Sequence, residues 1–214
     1  MKTFSESQIA KLTSLFQHGA TEASRALSLW LGRNATVGVD RLVQLSLADA
    51  TESLGPADET LCGCIMGMTG CISGNILFCF DESSGFLLCD LLLGREVNSD
   101  TWDELETSSA METANIVGCA YLNSLALEFG QCIETNTFSQ TKPGSFNAWA
   151  PTPPQFVRDY AASILEFAVM SQATEFDTIL VATTTFQIED RPVAWSLLLI
   201  PDAPSLDAIK KVLG

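Results

Sequence analysis

Three polar residues, Ser108, Glu112 and Asn115, follow one another at helical spacing in a largely apolar segment. At about 100° per residue, they fall within about 60° of one helix surface. A carboxylate and a carboxamide this close can act on one bound object, because the carboxylate pairs with a cation while the carboxamide orients a water. A polar strip of this kind is also typical of a solvated helix face, so the residues alone leave both interpretations open.

Few other side chains offer chemistry. His18 is the single histidine among 214 residues, which excludes most zinc hydrolases, His-based triads and two-His metal sites. It has no evident partner base or ligand, so we expect a structural or surface role for it. No phosphate loop, dinucleotide fingerprint or G-x-S-x-G elbow occurs, and the sequence therefore predicts no metal and no cofactor of its own.

The charge of the chain restricts its partners. It carries 26 acidic and 11 basic side chains, for a net charge of −15, so repulsion disfavours nucleic acid and anionic membrane surfaces. No uninterrupted apolar run approaches about 18 residues, and the first residues are too polar for a secretory signal. We therefore expect a cytoplasmic protein that neither inserts into a membrane nor binds nucleic acid.

The seven cysteines fit this compartment. Most lie in apolar runs, and Cys62 and Cys64 belong to the pattern C-x-C-x-M-x-M, whose period of two indicates one face of a strand. No second pair of Cys or His residues completes a zinc site. We interpret the thiols as reduced, small hydrophobic residues of the core.

The elements that must position the three polar residues can be placed from periodicity and caps. In the first half, apolar spacing predicts a helix over 5–32 that begins at Ser5 or Ser7 and ends at Gly32. It is followed by an extended segment over 35–47 interrupted at Asp40, a turn or short loop over 49–59, a hairpin over 61–80 and a short helix from Asp81 to about Leu93.

In the second half, the helix that carries the polar residues is predicted from Trp102 to about Phe129, before Gly130. The stretch 131–155 begins strand-like and becomes a proline-rich loop or insertion. The remaining predicted elements are a helix over 156–172, strands over 176–188 and 192–200, and a terminal helix from Ser205.

The two halves repeat one order of elements. In each, an apolar strand leads through an acidic turn into a short Leu-rich helix, as NILFCFDESSGFLLCDLLLG and SLLLIPDAPSLDAIKKVLG. A duplicated α/β unit sharing one sheet accounts for this order. We predict a single domain over 1–214 made of two repeats, about 1–97 and 98–214.

The string ETANIVGCAYLNSLA resembles the signature helix of the CheC/CheX/FliY phosphatase family of bacterial chemotaxis, whose pattern is Asp or Ser, three residues, Glu, two residues and Asn. Ser108, Glu112 and Asn115 match it in register. GATEASRALS looks like the family's first helix, GCISGNILFCF like its central hairpin and SLLLIPDAPSLDAIKKVLG like its C-terminal ending. The resemblance covers nearly the whole chain and implies an α+β, pseudo-two-fold, CheC-like fold with long helices on one mainly antiparallel sheet.

The resemblance also implies a function. Members of the family dephosphorylate the phospho-aspartate of a CheY-like response regulator, so Asn115 would orient the attacking water and Glu112 would pair with the active-site lysine of the receiver domain. Ser108 would support the site by hydrogen bonding. The Mg²⁺ of such a reaction would be bound by the receiver, which leaves this chain without a cofactor.

Two departures from the family pattern stand out. Members with two active sites repeat the Glu-x-x-Asn motif on the first helix, where this chain has Ser14 and Gln17, so the first site is expected to be degenerate and one active site remains. The family tends to place a proline about 22 residues after the active Asn, yet position 138 is Phe and prolines arrive at 151–154. The stretch 138–155 is therefore expected to be an insertion near the active face that bears on docking.

A second function class remains open. The chain could be a non-catalytic CheC-like binding module, either a flagellar-switch component or a partner of a CheD-like receptor deamidase. It could also regulate another two-component pathway. Glu112 and Asn115 are the discriminating residues, since a scaffold would not need both.

Overall fold

Helices and strands alternate along the computed structural model, which describes residues 3–56, 59–70, 72–96, 100–135, 150–170, 179–189 and 191–214. The helices are α1 (Glu6–Leu31), α2 (Leu47–Leu54), α3 (Glu82–Leu93), α4 (Glu104–Thr135), α5 (Ala161–Met170) and α6 (Ala203–Leu213). The strands are β1 (Ala35–Leu45), β2 (Thr60–Thr69), β3 (Gly74–Asp81), β4 (Ala150–Pro151), β5 (Gln155–Tyr160), β6 (Ile179–Ile188) and β7 (Arg191–Pro201).

The strands of the described residues form one antiparallel sheet in the order β1-β6-β7-β3-β2-β4, with β5 also paired to β2. Because β4 and β5 pair with successive parts of β2, they act as one interrupted edge strand. The order of strands is symmetric: when β1 is exchanged with β5, β2 with β6 and β3 with β7, the same order is obtained, read in the opposite direction. This architecture confirms the predicted fold class. The predicted boundary between the two repeats lies within 97–99, outside the described residues.

Both faces of the sheet are buried, as β2 illustrates. Its Cys62, Cys64 and Met66 pack with residues of α1, α3, α4 and α6, whereas Leu61 and Ile65 pack with α2 and α5. A strand covered on both faces is apolar along its whole length. Burial raises the pKa of Cys62 to about 12, and the five cysteines whose side chains are described are free thiols. These observations confirm that Cys62 and Cys64 are core residues.

The first helix begins and ends where its caps predict. The Oγ of Ser5 accepts a hydrogen bond from the backbone N–H of Gln8 at 3.2 Å, and the Oε1 of Gln8 accepts one from the Ser5 N–H at 2.9 Å. This reciprocal pair satisfies two N–H groups that the first turn leaves without helical partners. At the other end Gly32 adopts a left-handed conformation with φ 64°. The limits of α1 are therefore encoded locally.

The segment after α1 contains one confirmed and one wrong prediction. The pairing of β1 with β6 shifts register between Val39 and Arg41, which confirms the interruption at Asp40. The turn or loop predicted over 49–59 is wrong, because 47–54 form α2. Ser46 caps this helix by accepting from the Asp49 N–H at 3.1 Å. The fully buried Ala50 packs in the core between the sheet and α5, so tertiary burial stabilises a helix that is short for its own propensity.

Two further boundaries were predicted wrongly. The helix predicted over 156–172 is a strand up to Tyr160 and becomes helical only at Ala161, because residues 155–160 pair with 65–60 of β2. The helix α4 begins at Glu104 rather than Trp102 and continues through Gly130 to Thr135, where a strand-like start was predicted. A single glycine costs a helix only about 1 kcal/mol, so it does not by itself end one.

An ionic cluster of two buried carboxylates and an exposed arginine joins the end of α3 to the start of α4. The guanidinium of Arg95 lies 3.1 Å from the fully buried Asp90 carboxylate and 2.5 Å from the buried Glu106 carboxylate. The hydrogen bond from Arg95 is the main cause that lowers the pKa of Glu106. The cluster therefore anchors the helix that carries the polar residues.

We expect the Arg95→Gln variant to lose this anchor in a pH-dependent way. Glu106 has a lowered pKa in the folded chain, so its ion pair contributes its full stabilisation at pH values above the ordinary Glu pKa of about 4.3, and this contribution is lost as pH falls through the folded pKa. Urea unfolding from pH 7 to pH 3 should show a variant that is less stable at pH 7 and approaches the wild type in acid. A stability difference that stays constant over this range would contradict the assignment.

Candidate functional site

The helix α4 is held against the sheet by small and aromatic residues of its inner face. A Cβ on Gly118 would lie 2.7 Å from the Sδ of Met66, so glycine lets α4 approach β2 without displacing the Met66 side chain. The ring of Tyr121 packs against Phe16 of α1, with 5.5 Å between centroids. With this face fixed, the residues of the outer face have defined positions.

Ser108, Glu112 and Asn115 lie together on that outer face. The three side chains line one open cleft of about 400 Å³. Ser108 and Glu112 are exposed, whereas Asn115 is half-buried. The cleft thus offers a carboxylate, a carboxamide and a hydroxyl to a single bound object.

The carboxamide of Asn115 is held from within its own helix. The Sγ of Cys119, one turn further along, donates a hydrogen bond to the Oδ1 of Asn115 at 3.6 Å. Burial, and then the charge of Glu112, raise the pKa of the Cys119 thiol, so the thiol keeps the proton that it donates. The bond restrains the carboxamide and leaves its N–H groups as donors for a water in the cleft.

The opposite wall of the cleft is a segment that we call the proline strap, residues 151–154. It runs from the last residue of β4 to the residue before β5, where the edge strand is interrupted. Thr152 attaches the strap to β2, since its N–H donates to the Gly67 carbonyl at 2.9 Å and its Oγ1 accepts from the Gly67 N–H at 2.8 Å. The predicted insertion therefore reaches the face that carries Asn115, while residues 138–149 lie outside the described residues.

The residues predicted to form a degenerate site lie elsewhere. Ser14 and Gln17 are exposed on α1 and do not line the cleft of α4. His18 beside them is also exposed, as expected for a surface residue. The structure thus brings together the three predicted residues of α4 and keeps them apart from the two of α1.

Sequence reasoning missed three contributors to the cleft. Met111 forms part of its lining, Cys119 restrains Asn115, and Thr152 secures the proline strap. The first two could have been found, because Met111 lies three positions after Ser108 and Cys119 lies four positions after Asn115, which is the spacing of neighbours on one helix face. Thr152 could not, since its partner Gly67 is 85 positions away in the sequence.

Neither a metal centre nor a membrane helix is found in the part of the chain that the structure describes. Among those residues, no group of three or more His, Cys, Asp or Glu side chains is placed to hold a metal ion. None of the described helices combines the length and the apolar character that crossing a bilayer requires. Within these limits, the chemistry of the site is that of its carboxylate, carboxamide, hydroxyl and thiol.

The fold is shared with known proteins although the sequence is not. No protein-family model and no curated protein matches the chain. FliY from Thermotoga maritima superposes with a TM-score of 0.73 at 14% identity, over 99% of this chain and 98% of that one. The FliM middle domain from H. pylori superposes with a TM-score of 0.64 at 13% identity, over 98% of this chain and 99% of that one. A chain of the FliG–FliM complex from H. pylori superposes with a TM-score of 0.63 at 11% identity, over 97% of this chain and 100% of that one.

At these identities the likeness concerns architecture. The chain has the CheC-like fold that FliY and the FliM middle domain also have. This confirms the fold implied by the sequence resemblance, from the first helix to the C-terminal strand and helix. The chemistry of this chain must be argued from its own cleft.

Proposed function

Starting from a CheC-like fold, we propose that the chain is a phosphatase that hydrolyses the phospho-aspartate of a CheY-like receiver domain at a single site on α4. One observation carries the proposal: Glu112 and Asn115 line the same open cleft, and the Asn115 carboxamide is restrained by Cys119. A solvated helix face would need neither a cleft nor a restrained amide. The exposed Ser14 and Gln17 of α1 supply no carboxylate, which favours one site rather than two.

The reaction asks little covalent chemistry of this chain. A water oxygen attacks the phosphorus of the acyl phosphate, the bond between phosphorus and the aspartyl oxygen breaks, and the products are inorganic phosphate and the aspartate carboxylate. Asn115 positions that water in line, and Glu112 pairs with a lysine of the receiver to hold the docked geometry. Ser108 supports the site by hydrogen bonding. The Mg²⁺ belongs to the receiver, whose acidic residues bind it.

The direct test follows the decay of a phosphorylated CheY-type receiver. Wild-type protein should shorten the lifetime of the phosphoryl group in proportion to its concentration, with Mg²⁺ present. Binding to the same receiver is measured in parallel. Binding without faster decay would overturn the phosphatase activity and leave a docking function.

We expect Glu112→Ala to lower kcat/KM about tenfold, because it removes a charge-assisted contact with the partner. Glu112 is exposed, so the difference from wild type should shrink as salt screens the pair. The assay is receiver decay at low and high ionic strength. Gln17→Ala is the control on α1 and should change little. An equal loss in the Gln17 variant would show that α1 takes part and would contradict the single-site proposal.

The second candidate function is a non-catalytic binding module. It is favoured by the likeness to FliM, which forms a complex with FliG in H. pylori. On this alternative, the exposed outer face of α4 would serve docking alone, to a flagellar-switch protein or a CheD-like deamidase. Substitution of Asn115 would then alter affinity without any change in the lifetime of a phosphoryl group.

A further inference from the structure

The proline strap is built into the edge of the sheet rather than laid over it. Pairing of 150–151 with 69–68 flanks it on one side, and pairing of 155–160 with 65–60 flanks it on the other. Between these two ladders, Thr152 alone bonds to Gly67, through its N–H and its Oγ1. Pro151, Pro153 and Pro154 have no N–H to donate, so Thr152 makes the central attachment of the strap.

The contact between Thr152 and Gly67 is also close sterically. A Cβ on Gly67 would lie 3.2 Å from both the Oγ1 and the Cγ2 of Thr152, a distance at which one of the two must shift. Glycine therefore lets the strap lie directly on β2. The position of the wall depends on this pair.

The lining of the cleft is divided by chemistry. Among the described residues that line the cleft, Glu112 is the one with a carboxylate, and it lies on the helix side. Apolar surface comes from Met111 on α4 and from the three prolines of the strap, Pro151, Pro153 and Pro154. A segment that fits both walls carries a basic side chain next to an apolar one. The net charge of −15 also favours a basic approach surface.

We propose that the proline strap is the specificity-determining wall of this site, with Thr152 as its positioning residue. It selects receiver domains that present an apolar side chain beside the lysine that meets Glu112. This inference rests on the proposed function and adds the feature by which a partner is chosen. The apolar contact is made on docking and is retained during hydrolysis, so it acts on binding and not on the chemical step.

The test uses Thr152→Val, which keeps the shape of the side chain and removes the Oγ1 that accepts from Gly67. Thr152→Ser, which keeps that oxygen, is the rescue variant. Thr36→Val is the matched control, since Thr36 is an exposed strand residue on β1 at the opposite edge of the sheet. For each variant, kcat and KM are measured with a phosphorylated CheY-type receiver. The Kd is measured with the same receiver held active by beryllofluoride and Mg²⁺.

Thr152→Val is expected to raise KM and Kd about 3- to 10-fold with kcat kept, because docking must then order the loosened strap again. The loss should persist at high salt, unlike that of Glu112→Ala, since it comes from apolar contact. Thr152→Ser should restore binding and Thr36→Val should match wild type.

Three results would overturn the inference, and they distinguish its failure from the failure of the proposed function. A wild-type protein that binds the receiver and accelerates decay, with a Thr152→Val variant equal to it in KM, would overturn the role of the strap alone. A fall in kcat with unchanged KM would do the same. A wild-type protein that neither binds nor accelerates decay would overturn the proposed function, and this inference with it.

Discussion

Replacing Asn115 by alanine is expected to lower the rate of receiver dephosphorylation by at least about 10- to 100-fold, the scale expected when a nucleophile loses its orientation. The side chain is half-buried in the cleft and is restrained by Cys119 rather than used to hold the fold together. The variant should therefore fold normally. Single-turnover decay of a phosphorylated CheY-type receiver measures the chemical step without product release.

The affinity of the receiver provides the decisive comparison. Because Asn115 acts on the water, the loss should appear in kcat while Kd changes little. Asn115→Asp keeps the shape but replaces the N–H donors by a second anion near Glu112, so it should be inactive as well. Asn123→Ala is the control, since Asn123 is exposed on α4 and does not line the cleft. Full activity of Asn115→Ala would exclude the proposed role of Asn115 in orienting the attacking water.

The largest expected loss of stability comes from Trp195→Ala, at about 3–5 kcal/mol. Trp195 is 1% exposed, its ring stacks on Phe80 with 4.2 Å between centroids, and it packs against Phe186 at 5.1 Å. Removing it leaves a cavity in the core on the face of the sheet that packs with α1, α3, α4 and α6. Since small domains are stable by only about 5–15 kcal/mol, this is a large share of the total.

Urea unfolding followed by circular dichroism tests the Trp195 prediction. Trp30→Ala is the matched control, because Trp30 is 44% exposed and its removal should cost less than about 1 kcal/mol. Equal losses of unfolding free energy in the two variants would show that the packing of Trp195 against Phe80 and Phe186 does not stabilise the core. The Trp195 variant should keep its activity per folded molecule at low temperature, as the residue does not touch the cleft.

Elements with their own caps could be predicted from the sequence. The helix α1 begins at a reciprocal Ser5–Gln8 pair and ends at a left-handed glycine, and α3 lies between Asp81 and Gly94. The hairpins were also evident, because alternating apolar residues meet at short turns. In each case the signal is contained in neighbouring residues.

The secondary-structure predictions are wrong where long-range contacts outweigh local preference. The sequence predicts a helix over 156–172, yet residues 156–160 pair with β2 as a strand. The α2 segment was assigned to a loop for its acidic residues and Gly55, although burial of Ala50 makes it helical. In both, the deciding partner lies far away in the sequence.

The sequence is sufficient to group Ser108, Glu112 and Asn115, because the pitch of a helix places such residues on one face whatever surrounds it. It also determined the fold class, through the repeated order of elements. That these residues line a cleft with a proline wall is evident only in the folded chain. That wall depends on a contact between Thr152 and Gly67, 85 positions apart. The strand to which an edge segment pairs is set by competition within the whole sheet, and local spacing does not encode it.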